Sequence, residues 1–143
     1  MNEDTAYLLK ECDAGTKTAV NSIKEVLDNV KNGDLLDILT ESLREHEAIG
    51  DELHDLLNEM GQPGKEPAPM ARAMSWMKIN FKMLTSPDDT TVASLILDGC
   101  NMGVKQLNEY LNKYKDADEK VKHLTKKLIK LEEFLGDKMK AYL

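Results

Sequence analysis

Apolar residues return every three or four positions over four long stretches of the chain, the spacing that gathers them on one face of an α-helix. The first stretch runs from about Glu3 to Lys31. Its inner stripe is Leu8, Cys12, Gly15, Ala19, Ile23, Val26 and Val30, and Asn32-Gly33 supplies a left-handed stop. The second opens at Asp34, a suitable N-cap, and continues to Met60, where Gly61 ends it. Its stripe is Leu36, Leu39, Leu43, Gly50, Leu53 and Leu57, flanked by Leu35, Ile49 and Met60. A turn of about 100° per residue puts His46 at the centre of that stripe, with Ser42 one turn earlier and also inward. The same rotation turns Glu47, Asp51 and His54 to a solvated flank.

Gln62 to Pro69, QPGKEPAP, cannot continue a helix and reads as a crossover. Met70 to Leu84 then predicts a short helix with two apolar faces. Met70, Met74, Met77, Phe81 and Leu84 form one, and Trp76, Ile79 and Met83 the other. Only one of these faces can lie on a single bundle, so either Trp76 tucks against the preceding loop, or the second face, Trp76, Ile79 and Met83, meets a partner chain in a homo-oligomer. A third long helix opens at Ser86-Pro87-Asp88-Asp89, with serine as cap and acids against the positive end of the helix dipole. It carries Val92, Ile96, Gly99, Gly103, Gln106 or Leu107, Tyr110 and Tyr114 inward. The fourth, from about Ala117 to Tyr142, directs Val121, Leu124, Leu128, Leu131, Leu135, Met139 and Tyr142 inward, with Lys120, Lys122, Lys126, Lys127 and Lys130 on a solvated face.

These elements predict an all-α fold in one domain, residues 1–143. It is an antiparallel four-helix bundle with a short extra helix in the long crossover between the second and third long helices. Composition narrows the function more than the fold. The formal charge is −7, which argues against a nucleic-acid partner. Residues 1–62 hold 15 acids and 5 bases, a balance of −10, whereas residues 63–143 hold 11 acids and 14 bases, a balance of +3, so the two halves attract. No apolar run approaches a membrane span, and the acidic start MNEDTAYLLKE is unlike a signal peptide. Cys12 and Cys100 stand outside any ligand spacing and read as buried, reduced thiols, which together with the other features predicts a cytoplasmic protein. No glycine-rich phosphate loop or nucleophile elbow is present.

The order of helices, with LREHEAIGDELHDLLNEMGQP, RAMSWMKINFKMLTSPDD and DGCNMGVKQLNEYL as landmarks, resembles the bacterial ferritin-like four-helix-bundle proteins grouped as a domain of unknown function. Metal-binding ferritin-like proteins place a carboxylate on the first and third helices and Glu-x-x-His on the second and fourth, all inward at one level. Carried onto this chain, the resemblance implies Ala19 or Val20 for the first carboxylate and Gly103 for the third-helix one. Glu-x-x-His becomes Leu43-x-x-His46 on the second helix and Glu132-x-x-Leu135 on the fourth. Two ligands of about six survive, too few to neutralise and hold a di-iron centre. The resemblance therefore implies a non-enzymatic bundle with a structural or protein-interaction role, no cofactor, and a dry layer repacked where the metals would lie. The competing expectation is a metal-binding or redox-linked protein with an atypical, mononuclear site, holding one transition-metal ion on His46, Glu132 and Cys12.

Overall fold

The computed structural model describes residues 2–65, 85 and 88–143. Four long helices account for most of them: α1 (Glu3–Leu27), α2 (Gly33–Glu59), α3 (Asp89–Lys113) and α4 (Glu119–Met139), followed by a 3-10 turn, Lys140–Tyr142. No strand occurs among the described residues, and no helix among them is long and apolar enough to cross a membrane. Trp76, Ile79 and Met83, together with the short helix expected over Met70 to Leu84 and the expected cap at Ser86-Pro87, lie outside the described residues.

The helix starts follow from side chains that accept otherwise unpaired backbone N–H groups. Asn2 accepts from the Thr5 amide at 2.9 Å, Asn32 from Leu35 at 3.0 Å and Asp88 from Thr91 at 2.8 Å. The Asn32 cap changes the expected boundary. Since Asn32 opens α2, residues 28–31 form a short link that begins with a turn at 28 and 29, and α1 stops at Leu27 rather than Lys31. Gly33 is thereby the first helical residue of α2 instead of a left-handed stop. The only positive φ among the described residues is that of Gly61, at 65°, where the second helix was expected to end.

Two long-range ties hold the ends of the bundle. The Asp89 carboxylate accepts from the backbone amides of Lys31 at 2.8 Å and Asn32 at 3.0 Å. At the opposite end the Asp118 amide donates to Thr5 Oγ1 at 2.8 Å, and Asn2 Nδ2 donates to the Asp116 carbonyl at 2.7 Å. The most extensive contacts run between α3 and α4 and between α1 and α2, followed by α2 with α4 and α1 with α3.

The core is divided in two. One cluster gathers the start of α1, the end of α2, the end of α3 and the start of α4, with Leu8, Leu9, Leu53, Leu57, Leu107, Val121 and Leu128 among its members. The other holds Ile23, Val26, Leu35, Leu39, Val92, Ile96, Leu135 and Met139. On every helix the residues between the clusters are small or polar: Thr16 and Ala19 on α1, His46 on α2, Gly103 on α3 and Glu132 on α4. The level where the resemblance would place metals is thus the gap between two apolar cores.

Candidate functional site

His46 occupies the centre of that gap and is fully buried. Its Nε2 lies 2.8 Å from Glu132 Oε1, and its Nδ1 lies 2.8 Å from the Ser42 carbonyl oxygen and 3.3 Å from Ser42 Oγ. A carbonyl oxygen only accepts, so Nδ1 carries a proton. The proton between Nε2 and Glu132 therefore decides the state of the pair: imidazolium with carboxylate, or neutral imidazole with carboxylic acid. Burial pulls the histidine pKa down, but the hydrogen bond to Glu132, its negative charge and the Ser42 carbonyl together raise it above 6.5. These groups together favour the protonated ring.

The chain arranges this pair by helix periodicity. Ser42 and His46 are four residues apart on α2 and so share a face, which lets the serine carbonyl orient the ring. Glu132, 7 % exposed, sits between Leu128 and Leu135 on the inner face of α4. Gly103 faces it: a Cβ at that position would stand 3.4 Å from Glu132 Oε2, in van der Waals contact with the carboxylate. Glu47, Asp51 and His54 are exposed, as the rotation of α2 predicted.

His46 and Glu132 are therefore together, whereas Cys12, the third candidate ligand, is hydrogen-bonded elsewhere. Its Sγ is 3.3 Å from Thr125 Oγ1, which in turn donates to the Val121 carbonyl at 2.8 Å. Thr125 precedes Glu132 by seven residues, about 10 Å along the helix, which explains why a shared inward face did not bring Cys12 to the pair. The thiol close to the site is instead Cys100, on α3. Burial pushes its pKa up, and the charge of Glu132 and a hydrogen bond to it push the same way. Burial likewise raises Cys12 to about 11. Both cysteines are buried and free. Among the described residues no group of three or more histidine, cysteine, aspartate or glutamate side chains is placed to hold a metal ion.

A groove of about 400 Å³ runs between α1 and α3. Ala14, Gly15 and Ala19 form one wall, Gly99 and Gly103 the other, and His46 and Glu132 are at its foot. The leucines of α2 and α4 are engaged in the two core clusters above and below, and no described large side chain from α1 or α3 fills the intervening level. Periodicity had marked these residues as small and inward; it held no information on whether a neighbour would close over them.

One end of the groove is set by a contact that sequence patterns gave no sign of. Asp13 is buried on α1, where it pairs with Lys17 at 3.0 Å and accepts the Lys65 amide at 2.9 Å. Gly64 permits that approach, since a Cβ there would lie 2.8 Å from Asp13 Oδ2. Lys65 in turn pairs with Glu11, and both line the groove beside Tyr110. The Tyr110 hydroxyl is pushed up to about 12 by partial burial and by the Glu11 carboxylate.

Comparison with known protein families, with curated proteins and with solved structures found no match to this chain. Function therefore rests on the geometry of the bundle and its site.

Proposed function

We propose that this protein is a non-enzymatic, ferritin-like antiparallel helical bundle in which a buried His46–Glu132 pair stands where a dinuclear metal centre would be, and that it serves as a structural or binding module. The observation that carries this reading is the pairing of His46 Nε2 with Glu132 Oε1 at 2.8 Å, with Gly103 against the same carboxylate. Each surviving ligand is satisfied by the other. Across from them Ala19 and Gly103 offer no donor atoms, and the one nearby thiol is held protonated by its surroundings. Among the described residues no nucleophile, base and orienting group converge on a reacting position, which favours a structural or binding role over catalysis.

Elemental analysis of protein purified without an affinity tag tests this reading directly. The expected result is no stoichiometric iron, manganese or zinc, with an unfolding midpoint unchanged by a chelator. Metal at one or more equivalents that disappears in His46→Ala would overturn it in favour of the metal-binding or redox-linked alternative.

A further inference from the structure

Around the bundle the helices neighbour one another in the order α1, α2, α4, α3, so α2 and α4 together form one side of it. That side is grooved. A cleft of about 440 Å³ between the two helices has Ala48, Ile49, Leu131 and Phe134 in its lining, and Phe134 is 58 % exposed. Lys65, tied to Asp13 and Glu11 on α1, and Asp88, the cap of α3, lie across the bundle from this face.

The two walls of the cleft differ in charge. α2 carries nine acids and one arginine, a balance of −8, whereas α4 carries six lysines and four acids, a balance of +2, with one of those acids, Glu132, buried against His46. At the cleft itself Glu45 and Glu52 come from α2, and Lys127 and Lys130 from α4. Arg44, the other α2 charge there, is paired with Glu41. Among the described residues Glu52, Lys127 and Lys130 form no side-chain hydrogen bond or ion pair, so their charges are open to a partner.

We infer that this face docks a second copy of the chain, with a two-fold axis along the bundle that lays α2 of each copy on α4 of the other. An isologous interface must be complementary to itself, and charge selects this axis. Rotation about it keeps every residue at its own height and exchanges the two walls, so the partner's Lys127 and the partner's Lys130 come over Glu45 and Glu52. A two-fold axis across the bundle would instead stack the acids of α2 on the same acids of the partner. Phe134 closes over the partner's cleft, which buries its ring. The area suffices for a dimer. α4 has 21 residues, roughly 30 Å of helix, and two helices side by side are roughly 20 Å across, so the two copies together bury roughly 1,200 Å². That is the lower end of a specific interface, where charge complementarity decides which surfaces meet. The interface goes beyond the reading of the buried pair, does not depend on metal content, and differs from the expected self-association through Trp76, Ile79 and Met83.

Sedimentation velocity of the full chain at about 50 μM tests it, with helical circular dichroism as the check on folding. The wild type should sediment as a dimer. Lys127→Glu with Lys130→Glu, and separately Glu45→Lys with Glu52→Lys, should each weaken self-association at least about tenfold, since either change sets like charges against each other. Mixed in equal amounts, the two variants should pair as a heterodimer, because acidic walls then meet basic ones again. Phe134→Ala, a change at an exposed position, should also weaken the dimer at least about tenfold, and it decides the matter if a charge variant fails to fold. The proposal is overturned by a monomeric wild type, by charge variants that still dimerise, by folded variants that do not pair when mixed, or by a dimer that dissociates in Trp76→Ala and not in Phe134→Ala.

Discussion

Replacing Glu132 by glutamine keeps the shape of the side chain and removes its charge, so the effect on stability isolates the ion pair. The partners are 2.8 Å apart, with His46 at zero exposure and Glu132 at 7 %. At an effective dielectric of about 20, unit charges about 3 Å apart attract by roughly 5–6 kcal/mol. Desolvation of the two ions offsets most of this, but removing one partner strands the other, which costs about 3–5 kcal/mol. His46 can escape that cost by releasing its proton. The loss in Glu132→Gln should therefore depend on pH. Because the folded pKa of His46 is raised, its contribution is fully present below the unfolded value near 6.5 and is lost as pH rises through the folded value. Urea unfolding followed by helical circular dichroism measures this. With a slope of about 2 kcal/mol per molar urea, Glu132→Gln should lower the midpoint by roughly 2 M at about pH 6 and by less at about pH 9. The stability gap between wild type and His46→Gln should narrow over the same interval. An equal loss at both pH values would refute a charged pair, as would a gap to His46→Gln that stays constant.

Gly15→Ala and Gly99→Ala should each stabilise the protein by about 0.5–1 kcal/mol in the same urea assay, because each Cβ enters free space in a helix interior; destabilisation would mean that the groove walls are closely packed. The double replacement His46→Leu with Glu132→Leu should be far less damaging than either single change, and neutral or stabilising by roughly 1–4 kcal/mol, since it removes both desolvation costs together; a double variant as unstable as the sum of the singles would exclude that account. With its pKa at about 11, Cys12 should react with a disulfide reagent at about pH 8 roughly a hundredfold more slowly in the native protein than an ordinary thiol does. Mass spectrometry of the labelled peptide reads this, and early labelling of Cys12 would contradict its burial.

Much of the fold was legible because each long helix carries its own apolar stripe, and the inward position of His46 follows from the spacing of α2 alone. The boundaries were less so. Asn32-Gly33 suits either a helix stop or a helix start, and the side chain of Asn32 resolves the choice by capping Leu35. The site was legible in one dimension only. A stripe fixes the direction in which a residue points but not its height relative to residues on other helices, and one turn of error is about 5.4 Å, enough to exchange partners. Glu132 was matched to His46 through a family pattern that fixes height. Cys12 had no such anchor and lies about two turns away, at Thr125, while Cys100 takes the nearby place. Asp13 gave no signal at all, because its burial depends on Gly64 and Lys65, about fifty residues further along the chain.

The groove decides how the small residues of α1 and α3 should be understood. A sealed, dry void of about 400 Å³ would cost about 10 kcal/mol at roughly 24 cal/mol per Å³, as much as the entire net stability of about 5–15 kcal/mol expected of a domain this size. Such a void would be removed by collapse of the helices or by larger side chains, and the free space beside Gly15 and Gly99 shows that larger side chains would fit. Among the described residues that space stays open, and its apolar walls make water a poor filling for it. The charged pair at its foot has the same logic: leucines at positions 46 and 132 would stabilise the bundle more cheaply, so what His46 and Glu132 provide is a buried carboxylate held in one orientation. Open walls and a buried ion pair each weaken the fold when considered alone, so the stability of the bundle explains neither of them.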